Sequence, residues 1–364
     1  MPTISQTTVE KIQWVFPEHA GAPGLIHGGR MMEWIVEAGT LAAARLARGH
    51  VVLGAMDDID FLHPVRVGEI AILRAQVEHI GRSSLEVGVR VWAENVATRQ
   101  RSVTLNSHLV FVSVEEDGRP RLVPDRIAPA DEAEARLVEE ARRRRDVRLA
   151  RFAHRRALTP RARSGDTERR RTSNSPPSFI PGLAAPAPTT VPELAALAPA
   201  DTAWRFESVR PVLPEDVLFG TTISAGRLLR QLDEAGGILS MRYCRGLVMT
   251  ACVDAMDFYS PIHAHEVVTF QAGLNHVGTS SLEIGVTVLA EKPWTGEVRE
   301  ACTAFLTFVH LGPDLRPRPC PPFTPGTPAE QRRWEAALVR REQRLQRVKR
   351  LKATIVNDSS GERR

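Results

Sequence analysis

The sequence has little cysteine, few aromatic residues and no long apolar run, and each shortage excludes a class of protein. Its four cysteines all lie in the second half and none form a Cys-x-x-Cys pair, which argues against a disulfide framework or a zinc site. No segment approaches the roughly 18 apolar residues of a membrane helix, and the N-terminus lacks a charged-then-apolar leader. We therefore expect a soluble, cytoplasmic protein with no metal site. The cysteines, interpreted as reduced structural residues, are Cys244, Cys252, Cys302 and Cys320.

Positive charge is abundant but concentrated in two segments. Residues 140–171 carry a net charge of +9 and residues 331–364 carry +7, against +5 for the whole chain. The remaining residues are therefore acidic as a group. Aromatic residues make up only 5% of the chain and are not interleaved with the arginines as stacking platforms for bases. We interpret the basic runs as solvated helix faces and expect neither a nucleic acid nor a membrane as partner.

The chain contains an internal repeat. Residues 27–94 align without a gap onto residues 224–291, at an offset of 197, with 26 of 68 positions identical. Such self-similarity indicates a tandem duplication. The length of 364 residues also exceeds that of one typical domain of roughly 100–200 residues. We therefore expect two homologous domains.

Each copy begins with one long apolar segment that is followed by strands. Residues 28–47 are long enough for a helix and apolar over most of its circumference, so this helix and its duplicate should be buried. Residues 84–95 follow a period of two. The pattern predicts an α+β fold in which each copy wraps an antiparallel sheet around one long central helix. The apolar face of the strand consists of Leu85, Val87, Val89 and Val91.

These patterns divide the chain into five segments. A Pro-rich stretch and a charged helix follow each domain, and the residues between the copies are rich in Pro, Ser, Thr, Ala and Arg with little periodicity, which is typical of a flexible linker. The segments are a first domain over residues 8–124, a charged tail helix over 125–157, a linker over 158–200, a second domain over 201–316 and a basic tail helix over 326–352.

Three pairs of motifs resemble those of a known enzyme family. They are IHGGRMMEWIVEAG and ISAGRLLRQLDEAGG at the helix, DDIDFLHPVRVGE and DAMDFYSPI after it, and IGRSSLEVGV and VGTSSLEIGV at a later turn. In these motifs the chain is similar to the brain-type acyl-CoA hydrolases and their bacterial relatives, the ACOT-type hotdog thioesterases. The resemblance implies a tandem hotdog that hydrolyses fatty acyl-CoA to a fatty acid and CoA. It also implies that no metal or other cofactor is needed and that three chains assemble as a ring.

The resemblance implies that an acid on the central helix activates water, and the motif places this acid at Asp233. The corresponding residue of the first copy is Val36, so we expect Asp233 to face packed protein, where burial raises the pKa of a carboxyl group and makes it a better base. The alternative is an acid that merely favours the helix dipole. Because the first copy has no acid at Val36, although Glu37 is adjacent, we expect one working site at the interface of the two domains.

The turn before the first helix supplies the other candidates for this site. Gly28 and Gly29 lie at a helix N-terminus, where unpaired backbone N–H groups can hold an oxygen that becomes negative, and His27 is a candidate positioning residue. A plain turn into a helix is the alternative. The family carries an asparagine just before the glycine pair, where this sequence has Leu25, with Thr222 in the second copy. The missing side-chain amide predicts a weaker site, or one that relies on backbone donors and on the histidine.

A serine-containing turn in each copy is the candidate for binding CoA. Arg82 is placed to meet the phosphates, with neighbouring serines as neutral donors. In the second copy Thr279 takes the place of the arginine, so the two nucleotide sites should differ in strength. The alternative for Arg82 is a solvated turn residue. The candidate residues are Arg82, Ser83, Ser84, Thr279, Ser280 and Ser281.

Two other functions are compatible with the same fold. A hydratase would need an Asp and a His placed together in one loop, and we find no such local pairing. A degenerate protein that binds acyl-CoA without hydrolysing it, or that only scaffolds an assembly, would tolerate Val36 and Leu25, and the retained Asp233 argues against it. For the enzyme, we expect the acyl chain to lie between the two central helices, beside Met32, Leu229 and Leu232.

Overall fold

The structure is a computed structural model that describes residues 1–158 and 202–361. The described residues form two similar halves. The linker, predicted over residues 158–200, lies outside the described residues apart from its first position. In the described ranges, no helix has the length and apolar character needed to cross a membrane.

The first half contains one long helix and a set of antiparallel strands. The helix is α1 (Gly28–Ala47). The strands are β1 (Val9–Trp14), β2 (Val51–Met56), β3 (Ile59–Asp60), β4 (Ile70–Ile80), β5 (Ser84–Glu94) and β6 (Arg101–Ser113). A second helix, α2 (Glu132–Leu158), follows the strands.

The second half repeats this order. Its long helix is α3 (Ala225–Cys244), and its tail helix is α4 (Pro328–Gly361). The strands are β7 (Arg205–Pro211), β8 (Val217–Phe219), β9 (Thr222–Ile223), β10 (Leu247–Val253), β11 (Met256–Asp257), β12 (Val267–Val277), β13 (Ser281–Lys292) and β14 (Glu297–Leu311).

The strands form two six-stranded sheets that exchange their last strands. The orders are β1-β4-β5-β6-β2-β11 and β3-β10-β14-β13-β12-β7, while β8 and β9 form a separate hairpin. Strand β11 of the second half pairs with β2, and β3 of the first half pairs with β10. The predicted α+β fold with two copies of a helix wrapped by an antiparallel sheet is confirmed, and the exchange of strands joins the copies.

Burial explains why the two long helices are apolar on most sides. Helix α1 packs against β4 and β5 of its own sheet and also against α3, so most of its residues are buried. One hydrophobic cluster contains residues of both halves. The predicted apolar face of β5 is fully buried, since each of its four residues, Leu85, Val87, Val89 and Val91, is 0% exposed.

The tail helices differ from their predicted bounds. The charged tail predicted over 125–157 is helical only within α2, because the carboxylate of Asp131 accepts the backbone N–H of Glu134 at 2.9 Å and so caps the helix just before its first residue. The basic tail predicted over 326–352 continues nine residues further, to the end of α4.

The interpretation of the basic runs as solvated faces was wrong for one side of each tail helix. On α2, Arg148 is 5% exposed and pairs with Asp57 at 2.9 Å and with Glu86. On α4, Arg344 is buried in an equivalent set of ion pairs. Burying a carboxylate costs much free energy unless it is paired. The buried acids therefore explain why these arginines face the sheets.

One arginine on each tail helix contacts the other half of the molecule. Arg151 of α2 donates to the carboxylate of Asp257 in β11 at 2.5 and 3.1 Å. Arg347 of α4 donates to Asp60 in β3 at 2.6 and 3.0 Å. The two acids are equivalent in the repeat and both lie in the exchanged strands. Each tail helix therefore connects the halves through a bidentate arginine–carboxylate contact, which is stronger than a contact through one hydrogen bond.

Candidate active site

The N-terminal halves of α1 and α3 cross in close contact, and each helix has a glycine at the crossing. A Cβ atom on Gly29 would lie 2.8 Å from the Cα atom of Arg230, and one on Gly226 would lie 3.0 Å from the carbonyl oxygen of Glu33. Glycine permits this approach of two backbones because it has no Cβ atom. The two glycines are equivalent in the repeat, so the crossing has two related sides, termed the first cleft (at Asp233) and the second cleft (at Val36).

Asp233 lies at this crossing, on α3, and is 1% exposed. Its Oδ2 atom accepts the backbone N–H of Gly29 at 2.7 Å, and its Oδ1 atom accepts the hydroxyl group of Thr250 at 2.7 Å. The Nδ1 atom of His27 is 3.4 Å from Oδ2. The carboxylate is therefore held by residues from both halves: Gly29 and His27 from the first, and Thr250 from the second.

The surroundings of Asp233 raise its pKa above the ordinary value for aspartate, and burial is the largest cause. The charge of His27 and the hydrogen bonds from Thr250 and Gly29 act in the opposite direction on this pKa, because they favour the ionised form. The His27 side chain is 29% exposed, so the site has contact with solvent through the histidine. A carboxylate whose pKa is raised by burial is a better proton acceptor than an ordinary aspartate.

Thr250 is a site residue that the sequence reasoning missed. It lies on β10 and is buried, and its duplicate in the repeat is Leu53. A bulge follows Thr250 in the pairing of β10 with β14, and bulges redirect side chains. A comparison of the two copies would have found it. Thr250 is polar where the other copy has an apolar leucine, just as Asp233 is polar where the other copy has Val36.

One N–H group of the glycine pair has a protein partner in the structure. The Gly29 N–H was expected to hold an oxyanion, but it donates to Asp233 and so orients the carboxylate instead. The reason is the close helix crossing, which lets the carboxylate accept one of the N–H groups that have no partner within α1. Gly28 has no space for a side chain, since its Cβ atom would lie 2.6 Å from the Thr250 hydroxyl oxygen.

Leu25 supplies no polar group to this site. The residue is 3% exposed, and its carbonyl oxygen accepts the backbone N–H of Gly21 at 3.1 Å. This contact closes a short loop in which a Cβ atom on Gly21 would lie 2.7 Å from the ring of His27. The loop therefore positions the histidine through its backbone and through the absence of a side chain at Gly21.

The second cleft has apolar side chains where the first has its acid and hydroxyl. Val36 takes the place of Asp233, and Leu53 takes the place of Thr250. Both apolar residues line a cavity of about 980 Å³, together with Leu228, Phe258 and Ile262 among others. The second cleft is thus open but lacks the carboxylate at the equivalent position.

Glu37, the acid next to Val36 in the sequence, does not replace that carboxylate. Its side chain is 43% exposed and pairs with Lys11. Adjacent residues on a helix point about 100° apart, so a residue beside Val36 faces a different side of α1. The crossing therefore has the carboxylate of Asp233 on one side and the apolar side chain of Val36 at the equivalent position.

The three residues expected beside the acyl chain belong to the packed core. Met32, Leu229 and Leu232 are each 0% exposed, and the large cavity is lined by other residues. Helices α1 and α3 pack directly against each other at this level, and the position of the acyl chain near these three residues stays a prediction.

The predicted CoA-binding turns lie at the starts of β5 and β13, with Arg82 and Thr279 exposed. Beside Arg82 is a hollow of about 160 Å³ that Arg145 of α2 also lines, so the hollow is basic. Within residues 1–158 and 202–361, the residues that contact Asp233 do not line this hollow. The serines of the turns are Ser83, which is buried, and Ser84, Ser280 and Ser281, which are partly exposed.

Comparison with known proteins gives matches in both halves. The model of the thioesterase superfamily matches residues 23–99 and 220–296. The cytosolic acyl coenzyme A thioester hydrolase of Mus musculus is 27% identical over 330 residues, which cover 88% of this chain and 78% of that protein. The uncharacterized acyl-CoA thioester hydrolase YkhA of Bacillus subtilis (strain 168) is 34% identical over 153 residues, which cover 42% of this chain and 88% of that protein.

Among solved structures, the acyl-CoA hydrolase of Staphylococcus aureus in complex with butyryl coenzyme A is 30% identical, with a TM-score of 0.41, and the match covers 43% of this chain and 96% of that one. The family matches in this chain are 197 residues apart, the same offset as the internal repeat. This chain belongs to the thioesterase superfamily, with one copy of the family domain in each half.

Proposed function

We propose that this protein hydrolyses fatty acyl-CoA thioesters at one active site, formed by both halves where α1 crosses α3. The observation that carries the proposal is the buried carboxylate of Asp233, which Gly29 and Thr250 hold by hydrogen bonds of 2.7 Å each. Acyl-CoA is the substrate class because the mouse and Bacillus relatives are named as acyl-CoA thioester hydrolases. The fatty acyl group is our own extension of that class.

In this mechanism Asp233 is the general base. A water molecule gives a proton to the carboxylate while its oxygen attacks the thioester carbonyl carbon, and the carbon–sulfur bond then breaks to release CoA as a thiolate. Burial assists because it raises the pKa of Asp233 towards the pH at which the enzyme works. The hydrogen bonds from Gly29 and Thr250 hold the base in one orientation.

The N-terminus of α1 stabilises the negative charge that forms on the carbonyl oxygen. The first N–H groups of a helix have no partner within the helix, and the helix dipole favours negative charge there. Because the Gly29 N–H donates to Asp233, we assign the oxyanion to the neighbouring N–H of Gly28. His27, 3.4 Å from the carboxylate, is a positioning residue. The mechanism uses no cofactor, since CoA enters as part of the substrate.

Release of free thiol from short-, medium- and long-chain acyl-CoAs tests this function. We expect the full-length protein to hydrolyse at least one chain-length class, with rates that saturate with substrate. If the folded protein releases no thiol from any of these substrates, the enzyme assignment fails. The alternative is then a degenerate protein that binds acyl-CoA without hydrolysing it, and binding of a non-hydrolysable thioether analogue would identify it.

The second cleft is inactive because Val36 and Leu53 cannot accept a proton. We expect the combined change Val36→Asp and Leu53→Thr, made in an Asp233→Asn background, to restore hydrolysis to about tenfold above that background. The backbone N–H of Gly226, the duplicate of Gly29, is placed to hold the new carboxylate. The measurement is the initial rate of thiol release at saturating acyl-CoA.

The control for this gain is Val36→Asn with Leu53→Thr in the same background. It has the same size and polarity but no base, so its rate should stay at background. Equal rates in the two triple variants would show that the second cleft lacks more than its acid. They would contradict the proposal that the two clefts work in the same way once the acid and the hydroxyl are present.

We place the protein in the cytoplasm, the compartment that the name of the mouse relative states for that protein. The ring of three chains remains a prediction, and light scattering of the full-length protein distinguishes three chains from one. Nucleic acid is not a proposed partner, because arginines on both tail helices pair with carboxylates of the sheets.

A further inference from the structure

Two cysteines and a histidine of the second half come together from separate elements. Cys244 is the last residue of α3, His310 lies on β14, and Cys320 follows that strand. The two Sγ atoms are 4.0 Å apart, and together with a ring nitrogen of His310 they all lie within 4.8 Å of one another. Eleven residues separate Cys244 from Asp233, or about 16 Å along the helix, so this cluster is distinct from the active site.

We propose that Cys244, His310 and Cys320 form a Zn²⁺ site. Zinc binds cysteine sulfur at about 2.3 Å in tetrahedral geometry, which places two sulfurs on one ion about 3.8 Å apart. The observed sulfur–sulfur distance of 4.0 Å needs only a small adjustment to reach that value. Thiolate and imidazole are ligands that suit zinc, and a water molecule fills the fourth position.

The histidine is already oriented for such a role. Its Nδ1 atom lies 2.8 Å from the carbonyl oxygen of Pro319. A carbonyl oxygen can only accept, so Nδ1 carries the proton and Nε2 keeps a free lone pair. A histidine that binds a metal through one ring nitrogen usually donates the other N–H to a carbonyl or carboxylate, which fixes the ring. His310 has this second contact.

The first half provides an internal comparison, because its equivalent residues cannot bind a metal together. The backbones correspond: the N–H of Val123 donates to the carbonyl of Arg82 at 3.1 Å, and the N–H of Cys320 donates to that of Thr279 at 2.8 Å. At these equivalent positions, only the second half has three residues that can bind a metal. The residues of the first half at these positions are Ala47, Ser113 and Val123.

In the first half, an arginine side chain lies at the position equivalent to the proposed zinc site. The guanidinium group of Arg121 donates to the carbonyl oxygen of Ala47, at the C-terminus of α1, at 2.5 Å. In the second half the equivalent arginine, Arg318, lies against Gly312 instead. The C-terminus of a helix favours positive charge. A zinc ion bound at the end of α3 would take the place that the guanidinium group has at the end of α1.

The proposed zinc would also stabilise the turn at Thr279 and Ser280, which is predicted to bind CoA. Besides the contact of Cys320 with Thr279, the backbone N–H of His310 donates to the carbonyl oxygen of Ser280 at 2.9 Å. Two of the three ligands are thus bonded directly to this turn. The metal would join the turn to the end of α3 and so stabilise this part of the second half.

Metal analysis of untagged full-length protein, purified with a phosphine reductant and dialysed against micromolar Zn²⁺, tests the proposal. We expect one zinc per chain, and less than a tenth of that in Cys244→Ser, Cys320→Ser and His310→Ala. Cys302→Ala, which removes a cysteine outside the cluster, should retain one zinc. Co²⁺ in place of zinc should produce a thiolate-to-cobalt charge-transfer absorption in wild type that is absent from Cys320→Ser.

A thermal unfolding readout separates a built site from casual binding. Removing zinc with a chelator should lower the unfolding temperature of wild type and of Cys302→Ala, and leave that of Cys320→Ser unchanged. The proposal is overturned if reduced wild type retains no stoichiometric zinc. It is equally overturned if Cys320→Ser and His310→Ala retain as much zinc as wild type.

Discussion

Asp233→Asn should lower kcat for acyl-CoA hydrolysis by about 10³-fold, because an amide of the same size cannot take the proton from water. The amide oxygen can still accept one of the hydrogen bonds from Gly29 and Thr250, so the crossing of α1 and α3 should persist and KM should change little. The measurement is the initial rate of thiol release across a range of acyl-CoA concentrations, which separates kcat from KM.

The matched control is Glu234→Gln, which makes the same chemical change one residue later on α3. Glu234 is 45% exposed and pairs with Arg230 at 3.2 Å, so its replacement should leave kcat within about twofold of wild type. Full activity in Asp233→Asn would show that another group is the base. A loss of equal size in both variants would show that the helix, not the carboxylate, is the sensitive element.

The pH profile of the wild type is a second readout of the same base. The base works only when ionised, and burial raises the pKa of Asp233, so the acidic limb of kcat/KM should lie above the usual aspartate value of about 3.9. The hydrogen bond from Thr250 lowers this pKa. Thr250→Val should therefore move the limb to higher pH, whereas Thr40→Val, a buried threonine that lines the second cleft, should not.

Arg344→Met should lower the free energy of unfolding by about 3–5 kcal/mol at pH 8, the usual cost of leaving buried charges unpaired. Arg344 is 8% exposed and contacts the carboxylates of Asp254 and Glu283 at 2.6 Å each. Methionine fills a similar volume but cannot pair with them. Urea unfolding followed by circular dichroism measures the change. Arg341→Met, an exposed arginine on the same helix, should change the free energy by at most about 0.5 kcal/mol.

The loss in Arg344→Met should be smaller at pH 5 than at pH 8. Burial raises the pKa of Asp254 to about 6 even though Arg344 opposes the shift, and removing the arginine raises it further. An acid whose pKa is higher in the folded state binds protons preferentially there, so stability falls as pH rises towards the folded-state pKa and the penalty is complete above it. An equal loss at both pH values would contradict this account.

If Arg344→Met does not fold at pH 8, a compensated variant keeps the prediction testable. Adding Glu283→Gln removes one of the two carboxylates that lose Arg344 as a partner, and Glu283 keeps a hydrogen bond from Arg340 at 2.5 Å. We expect the double variant to recover part of the lost free energy. A double variant less stable than Arg344→Met would show that packing, not charge pairing, is the main role of Arg344.

Local features of the fold were predictable from the sequence. The predicted helix over residues 28–47 coincides with α1, and the strand predicted over 84–95 agrees with β5 to one residue. Both predictions succeed because a helix that is apolar on most sides and a strand with a period of two are visible within about 20 residues. The repeat doubled each signal, and the structure confirms the same elements in both copies.

The candidate site was predictable only in part. Asp233 was found because an acid stands where the other copy has Val36, and the same comparison of copies would have found Thr250 against Leu53. The true partner of the Gly29 N–H was not predictable. That contact depends on how closely α1 and α3 approach each other. The distance between two helices cannot be deduced from the spacing of residues within either of them.

The sequence by itself determined the duplicated domain, the long buried helices, the family resemblance and the candidate acid, because each of these is a pattern along the chain. Tertiary structure alone decided which distant residues meet. It pairs tail arginines such as Arg151 with carboxylates of the other half, exchanges two strands between the sheets, and brings Cys244 to Cys320 across 76 residues. The physical reason is that such contacts depend on the packing of whole helices and sheets, whereas a sequence pattern records only separation along the chain.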